Sequence, residues 1–434
     1  MPEPMTNDLR DASPRILRDL RVYISTRIEE VEITHLVIEV SIFEAIDNPF
    51  LHGEVIFADN AGLVAILPIV GQEEVRIKFT RRGKTVEKTF ACTRVKGIKK
   101  VSGESAGVVL TITSKKHLTN AVSLFSKSYS GLASDIIDSI HFNYFGERID
   151  VKTPSSSAHH IVFPYSKPYA AIDTVISKTF GEDGTPYFLF ENLFGDKPIL
   201  QSLQSMVGDA KDIKNLPVLA STKVTNKDYT GQGTRYLDDS LGVLYEYEII
   251  KNSDTLKILS GGALLNNTIR LNVANNEWSE IEFNHSLHAP TLAPLDPYRL
   301  YTVDAKNLNS NELKPSVSLE MHNPIAYESL GVTDLNTQSD SLSLTKLDSR
   351  ITRINDMIRI STYSDSDPEN YQAGKSVNLI ITPNKPALAG EPNDKDELFS
   401  GSYVISRIRH YIKGAEYTVS MELIRDGLSF MENN

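Results

Sequence analysis

Residues 71–80 read Gly71-Gln-Glu-Glu-Val-Arg-Ile-Lys-Phe-Thr80, so Val75, Ile77 and Phe79 alternate with polar side chains. A period of two is typical of a β-strand that buries one face and exposes the other. Segments rich in β-branched residues flank this run within residues 33–43 and 108–114. We therefore predict an antiparallel, β-rich unit over residues 21–118, with one short helix near residues 60–67.

A second stretch of this kind lies near the other end of the chain. It reads Gly374-Lys-Ser-Val-Asn-Leu-Ile-Ile-Thr382, so Val377, Leu379 and Ile381 again follow a glycine. Each run precedes the pattern of a paired hairpin. Both hairpins carry basic residues at loosely matching positions, namely Arg94, Lys96 and Lys99 in the first and Arg407, Arg409 and Lys413 in the second. The repeat indicates a duplicated β-domain, but unrelated hairpins can also look alike, so both interpretations stay open.

Other patterns separate these two regions. Helical periodicity over residues 130–142 and 167–180, with a hairpin pattern over residues 187–203, predicts a small α+β domain. Residues 284–340 are rich in proline, which predicts an inserted subdomain. A helix is expected over Ser341–Arg353, and the polar residues 383–397 are expected to form an exposed loop.

Composition excludes several classes of protein. The 434 residues suggest about three domains. A formal net charge of −11 without a dense basic cluster argues against specific nucleic-acid binding, which needs Lys and Arg to displace counterions. A single cysteine, Cys92, excludes an internal disulfide framework and is typical of assembly in a reducing cytoplasm. We also expect no secretory signal and no membrane-spanning segment, because no apolar run approaches about 18 residues.

Few motifs indicate catalysis. Gly103-Glu-Ser-Ala-Gly107 has the spacing of a hydrolase nucleophile elbow, but a strand pattern follows it where the motif requires a helix. We therefore predict a hairpin turn there. Cys92 lies in a strand pattern, so we expect a buried and unreactive thiol.

Metal and phosphate sites are also disfavoured. His159-His160 and His285-x-x-His288 have no obvious third ligand, so we expect both pairs in surface loops. Residues 365–370 lack the glycine and the final glutamate of a calcium loop. Residues 229–234 lack the Lys-Ser/Thr ending of a phosphate-binding loop. We expect no catalytic residue, no cofactor and no metal.

The order of several segments resembles a known family. The stretch Phe43-Glu-Ala-Ile-Asp-Asn-Pro-Phe-Leu-His-Gly-Glu-Val55, followed by residues 61–79, resembles the first tube-like domain of contractile-phage baseplate hub proteins of the T-even type. Residues 373–377, 399–410 and 416–423 resemble the closing strands of that family's second tube-like domain. The motif residues are Phe43, Pro49, Phe50, Gly53, Pro68, Gly71, Val75, Gly374, Val377, Gly401, Tyr403, Arg409 and Tyr417.

This resemblance implies an α+β, mainly β fold with two tube-like antiparallel β-barrel domains. The implied parts are an N-terminal arm (1–20), a first tube-like domain (21–118), a small α+β domain (119–208), a second tube-like domain (209–283 and 351–426), an inserted connector subdomain (284–350) and a C-terminal tail (427–434). The long loop after Thr382 and the N-terminal arm depart from the shorter family pattern.

The resemblance also implies a role. A homotrimer would present six similar barrels, joining a six-fold tail tube or its initiator to a three-fold central spike within the surrounding baseplate proteins. The implied location is the virion tail, assembled in the host cytoplasm. The genome would pass through the lumen, where we hypothesise acidic residues that repel DNA.

Three alternatives remain, the simplest being a β-rich protein of unassigned role. A hub of a contractile injection or type VI apparatus would have the same barrels, and a fused C-terminal spike would favour it. A carbohydrate-binding or depolymerising tail protein is a different class, which a screen for sugar release or glycan binding would reveal.

Overall fold

The described residues form a mainly β architecture built around one thirteen-stranded sheet. A computed structural model describes residues 17–27, 29–60, 62–67, 69–81, 84–102, 105–155, 158–177, 179, 185–208, 216–221, 241–252, 265–272, 276–284, 298–299, 316–322, 358–364, 371–381, 396, 398–425 and 427–428. The predicted fold class is confirmed.

The first part of the chain forms the first barrel. Its elements are β1 (Arg18–Ser25), β2 (Glu30–Glu32), β3 (Val37–Ala45), β4 (Asn48–Asp59), α1 (Leu63–Ile66), β5 (Glu74–Arg81), β6 (Lys84–Ser102) and β7 (Ser105–Ser114). The strands lie in the order β1-β5-β6-β7-β4-β3 with antiparallel neighbours. Val75, Ile77 and Phe79 of β5 are buried, as the alternation predicts. Each such burial contributes about 1.5–3 kcal/mol.

The middle part forms the α+β domain. Its elements are α2 (Lys115–Val122), β8 (Phe125–Leu132), α3 (Ala133–Phe145), β9 (Asp150–Val151), β10 (Ala158–Ser166), α4 (Pro168–Ile176), β11 (Tyr187–Phe190), β12 (Ile199–Ser202) and α5 (Leu203–Gly208). Ile136, Ile137 and Ile140 of α3 pack with Ile172 of α4 in a separate core. Phe50, from β4 of the first barrel, also enters this core, so the domain is anchored to that barrel.

Two predicted helices of this domain are shorter than expected. Residues 130–132 belong to β8, because they pair with Ala158–His160 of β10, and α3 begins only at Ala133. The helix expected over residues 167–180 ends at Ile176. Helix α2 was not predicted.

The last part forms the second barrel and an additional sheet. Its elements are β13 (Val218–Ser221), β14 (Leu241–Asn252), β15 (Leu265–Asn272), β16 (Glu277–Asn284), β17 (Tyr298–Arg299), β18 (Ser316–His322), β19 (Ile358–Ser364), β20 (Ser376–Ile380), β21 (Gly401–Lys413), β22 (Glu416–Arg425) and β23 (Gly427–Leu428). The second barrel has the order β13-β20-β21-β22-β19-β14, and β13 also pairs with β14, so the ring of strands is closed.

The two barrels share one strand order. In the first barrel the antiparallel unit β5-β6-β7-β4-β3 is built from strands that occur in the chain order β3, β4, β5, β6, β7. In the second, β20-β21-β22-β19-β14 is built from β14, β19, β20, β21, β22 in the same way. Only the remaining strand differs: β1 is antiparallel to β5, whereas β13 is parallel to β20.

The register of the strands repeats as well. Val75 pairs with Phe90 in the first barrel, and Val377 pairs with Tyr403 in the second. A bulge interrupts the β6–β7 ladder between Cys92 and Arg94, and the β21–β22 ladder is interrupted at the equivalent place. A second bulge interrupts β3–β4, and its equivalent lies in β14–β19. The common strand order and these two bulges favour a duplicated domain over coincidental hairpins. A further irregularity between Lys96 and Lys99 of β6 has no equivalent in the β21–β22 ladder.

One predicted boundary differs from the structure. The sequence places residues 209–283 in the second tube-like domain, but β15 and β16 form a separate sheet with β18, whose residues fall in the predicted insertion. The alternating pattern of β15 indicated a strand correctly, yet it carries no information about which sheet the strand joins.

Other predicted segments lie largely or wholly outside the described residues. These are residues 1–16 of the arm, the helix over 341–353, most of the insertion and most of the loop over 383–397. Strand β1 begins at Arg18, inside the predicted arm.

Candidate functional site

The two barrels are joined edge to edge through their main chains. β3 pairs antiparallel with the second half of β21, from Ala45 opposite Arg407 to Val40 opposite Ile412. The first half of β21 pairs instead with β20, and a bulge after Ile405 separates the two halves. The thirteen-stranded sheet is therefore continuous across the junction.

A buried carboxyl group lies at the centre of this junction. Glu44 of β3 is only 1% exposed. Its Oε1 hydrogen-bonds Nε2 of His410 at 2.9 Å and accepts the N–H of Leu193 at 2.5 Å. Its Oε2 accepts the N–H of Ala373, just before β20, at 3.1 Å. One side chain thus links both barrels and the β11–β12 loop of the α+β domain.

His410 extends this network into the second barrel. Its Nδ1 hydrogen-bonds the hydroxyl of Tyr417 on β22 at 2.6 Å, and both side chains are fully buried. The guanidinium of Arg81 lies 4.3 Å from the centre of the Tyr417 ring. The Phe194 ring lies 5.9 Å from that of His410. Because water is excluded here, the Glu44–His410 bond fixes the relative position of the barrels more strongly than a surface contact would. The His410–Tyr417 bond, within the second barrel, holds the imidazole in place for it.

The other face of the junction is polar. Arg407 forms an ion pair with Asp47 at 2.5 Å. Arg409 donates to Oγ of Ser41 at 2.8 Å, and its guanidinium lies 5.7 Å from the centre of the Phe43 ring. A cavity of about 460 Å³ runs along this face. Arg407 and Arg409 both bond to groups across the junction, so they also hold the barrels together.

A second polar cluster joins the α+β domain to the first barrel. Glu191 accepts the N–H of Leu51 at 3.1 Å and forms an ion pair with Lys116 at 2.5 Å. Lys88 donates to the carbonyl of Gly195 at 2.6 Å, and burial lowers the pKa of Lys88. A cavity of about 180 Å³ lies between these groups. The Leu51–Glu191 and Lys88–Gly195 bonds run between the two domains, whereas the Lys116–Glu191 ion pair lies within the α+β domain. The cluster thus holds the α+β domain against the first barrel.

The described residues contain no group of three or more His, Cys, Asp or Glu side chains placed to hold a metal ion. Cys92 is buried, and desolvation, with the nearby Glu73 carboxylate, raises its thiol pKa to about 11. In the part of the chain that the structure describes, no helix is both long and apolar enough to cross a membrane.

The histidine pairs are only partly covered by the structure. The prediction that His159 and His160 lie in a surface loop is wrong: both belong to β10, and His159 is buried. His160 bonds to Ser130 on β8. The apolar residues 161–163 predict only the middle of this strand, because the polar residues before them lack the alternating pattern. His285 and His288, and the loops over 229–234 and 365–370, lie outside the described residues.

The hairpin expected in place of the nucleophile elbow is present. β6 ends at Ser102 and pairs there with Ser105, where β7 begins.

The motif residues of the first barrel fall into three places. Pro49, Phe50 and Gly53 lie in β4, and Phe43 lies opposite this strand in β3. Val75 lies in β5. Gly71 has a φ of 94° in the turn before β5, a conformation that favours glycine. Pro68 lies outside the described residues.

The motif residues of the second barrel surround its first hairpin. Val377 pairs with Tyr403, and Gly401 pairs with Leu379. Gly374 has a φ of 81°, and a Cβ there would lie 2.5 Å from the Phe190 ring. Two further motif residues, Arg409 and Tyr417, lie at the junction described above. The structure thus brings Phe43 and Arg409 together across the junction. Most of the other motif residues lie in strands or turns of a single barrel and contact neighbours there.

Sequence reasoning missed Glu44 and Glu191. A signal for Glu44 was present, because it is an acidic residue inside the apolar run of residues 37–45. No comparable signal marked Glu191, which follows an apolar strand directly.

Comparisons with known proteins bear on this architecture. No protein-family model and no curated protein matches the chain. A tail protein from Neisseria meningitidis MC58 aligns with a TM-score of 0.52 and 10% identity, over 94% of this chain and 97% of that one. The 43 kDa tail protein of prophage MuSo2 from Shewanella oneidensis aligns with a TM-score of 0.50 and 8% identity, over 94% and 98%.

The chain has the fold of these tail proteins. The resemblance to phage tail proteins that the motifs predicted is therefore confirmed at the level of the fold. The likeness extends over nearly the whole of each chain, so it includes both barrels and the α+β domain. Identities of 8–10% establish the fold and nothing finer.

Proposed function

We propose that the chain is the structural hub of a contractile phage baseplate, a homotrimer that joins the six-fold tail tube to the three-fold central spike. Three copies of a chain with two equivalent barrels supply six similar units. Such an assembly can match a six-fold partner on one side and a three-fold partner on the other. The tail-protein fold supports this role.

The observation that carries the proposal is the repeated strand order with its repeated bulges. Two barrels with the same strand order can occupy equivalent positions in one ring, which is what a six-unit ring of three chains requires. Closure of strand edges into a ring also removes exposed edges, which otherwise promote aggregation.

The remaining parts of the proposal follow from this ring. Its partners are the tail tube protein or tube initiator, the central spike and the surrounding baseplate proteins, and its location is the virion tail. The genome passes through the lumen without specific binding, which the net charge of −11 favours. The protein has no enzymatic activity. The injection-apparatus hub has the same architecture and stays the alternative.

Negative-stain electron microscopy of the purified protein tests the proposal. We expect ring-shaped particles with a central channel and six similar lobes in end-on views. Compact particles without a channel would count against the hub. A parallel screen for sugar release separates it from the depolymerase alternative, because clear turnover would overturn a purely structural role.

A further inference from the structure

The three-stranded sheet β16-β15-β18 has one apolar face. Leu271 of β15 pairs with Trp278 of β16, and Ile269 of β15 pairs with Leu319 of β18. Paired residues of neighbouring strands lie on the same face of a sheet, and so do alternate residues of one strand. One face therefore carries Ile269, Leu271, Trp278, Val317 and Leu319.

The side chains of this face are highly exposed. Trp278 is 65% exposed, Val317 64% and Leu319 65%. On the opposite face Thr268 is only 2% exposed. The sheet thus buries a hydroxyl side chain and leaves its apolar face exposed, which reverses the usual arrangement of a sheet with one solvated face.

The margin of this face is acidic. Single exposed apolar residues are ordinary on protein surfaces, but a patch that continues across three strands marks a docking surface. Glu280 of the edge strand β16 pairs with Ile269, so it lies on the same face, and it is exposed. Nδ2 of Asn267 donates to Oε2 of Glu280 at 3.0 Å. An element that covers the patch therefore needs apolar residues with a basic group beside them.

We propose that residues 341–353 of the same chain dock on this apolar face of the β16-β15-β18 sheet. The contact gives the inserted subdomain a small core of its own, formed between the sheet and this segment. The inference goes beyond the proposed hub, because it concerns the single chain and holds whatever assembly the chain forms.

The sequence of this segment has the chemistry that the face requires. It reads Ser-Leu-Ser-Leu-Thr-Lys-Leu-Asp-Ser-Arg-Ile-Thr-Arg from position 341. Helical spacing predicts one stripe of Leu344, Leu347 and Ile351. Lys346 and Arg350 are four residues apart, so the same spacing places both at one margin of that stripe. The stripe matches the apolar patch, and the basic pair matches its acidic margin.

The connection along the chain permits this contact. β18 ends at His322 and β19 begins at Ile358, and the segment lies between them. An extended chain spans about 3.3 Å per residue, and adjacent strands lie about 4.8 Å apart, so residues 323–340 are long enough to cross the sheet from the edge strand β18. Because the chain tethers the segment beside the face, its effective concentration there exceeds that of a separate molecule.

Trp278 provides a direct test, because it is the only tryptophan of the chain and its fluorescence reports on this face alone. Quenching by acrylamide measures how freely a small solute reaches the indole ring. The variant Leu347→Glu places a charge in the middle of the apolar stripe. We expect it to raise the quenching constant roughly threefold over that of the unchanged protein, since the ring is no longer covered.

The matched control is Ser349→Glu, which adds the same charge on the opposite side of the helical pattern and should leave the quenching unchanged. Circular dichroism checks that each variant is folded. A second pair of variants tests the contact through its charges. Glu280→Lys places like charges together and should raise the quenching, whereas Glu280→Lys/Arg350→Glu restores opposite charges and should lower it again.

Quenching in the unchanged protein as strong as in Leu347→Glu would overturn the proposal, because the face would then be open. Protection of Trp278 that is lost on dilution would also overturn it and assign the face to a second copy of the chain. Protection that survives both dilution and Leu347→Glu would assign the face to another element and overturn the docking of this segment. None of these results depends on a trimer, so the native mass tests the hub separately.

Discussion

Glu44 and His410 lie 366 residues apart in the chain and hydrogen-bond at 2.9 Å with both side chains fully buried. The same carboxyl group accepts two main-chain N–H groups from two other segments. Glu44 belongs to the first barrel, Ala373 and His410 to the second, and Leu193 to the α+β domain, so this bond network fixes how the three parts of the chain sit relative to one another.

The first prediction concerns the removal of this carboxyl group. Glu44→Ala leaves the N–H groups of Leu193 and Ala373 buried without their acceptor, so we expect a loss of about 3 kcal/mol or more in the free energy of unfolding. Urea unfolding measures this loss. The matched control, Glu54→Ala, breaks only the half-exposed pair with Lys96 and should cost less than about 1 kcal/mol. Equal losses in the two variants would contradict the account.

A close approach of two strands gives the second prediction. A Cβ on Gly53 would lie 2.3 Å from the carbonyl oxygen of Ser41 in the neighbouring strand. Gly53→Ala must therefore push β3 and β4 apart, and we expect a loss of about 1–3 kcal/mol or more in the free energy of unfolding. Gly195→Ala is the control, because a Cβ there makes only ordinary contacts at 3.5 Å. A variant at Gly53 as stable as this control would show that the two strands tolerate the side chain.

The third prediction is a pH dependence. Burial lowers the pKa of His141, aided by the positive charge of Lys116 and opposed by the Glu147 carbonyl and by the Glu147 and Glu191 carboxylates. The unfolded chain therefore takes up a proton near pH 6.5 while the folded chain does not. Stability should fall as the pH drops below about 6.5, by at most about 1.4 kcal/mol per pH unit from this group.

The variant His141→Asn keeps a donor near the Glu147 carbonyl but cannot titrate. Urea unfolding at pH 7.5 and 5.5 should show a smaller loss of stability in this variant than in the unchanged protein. The same loss in both would mean that His141 does not contribute to the pH dependence.

The fourth prediction concerns the thiol of Cys92. With a pKa of about 11, almost none of it is thiolate at pH 8. We expect iodoacetamide to leave Cys92 unmodified in the folded protein and to alkylate it completely in urea, as measured by mass spectrometry. Ser126→Cys provides an exposed thiol for comparison in the same chain. Equal rates at the two positions in the folded protein would contradict the burial of Cys92.

Much of the fold could be predicted from local patterns. The alternation of Val75, Ile77 and Phe79, and of Val377, Leu379 and Ile381, predicted β5 and β20 because a strand that buries one face has a period of two. The pattern could not show that β3 pairs with β21, since register between distant strands leaves no local trace. It also could not place β15 in a separate sheet, because the alternation of polar and apolar residues in a strand does not depend on which strand it pairs with.

The junction was the hardest part to predict. The motif includes Arg409 and Tyr417 but not Glu44, to which His410 bonds. An acidic residue in an apolar strand is a signal of a buried polar contact, yet its partner lies hundreds of residues away. Only the folded chain shows which donors surround it.

The native mass of the purified protein tests the central claim most directly. One chain has a mass of 48.3 kDa, and a ring of six barrels requires three chains. We predict that native mass spectrometry over a range of concentrations will show a particle of three times 48.3 kDa. A protein that stays a monomer, or assembles only into dimers, at every concentration would contradict the account.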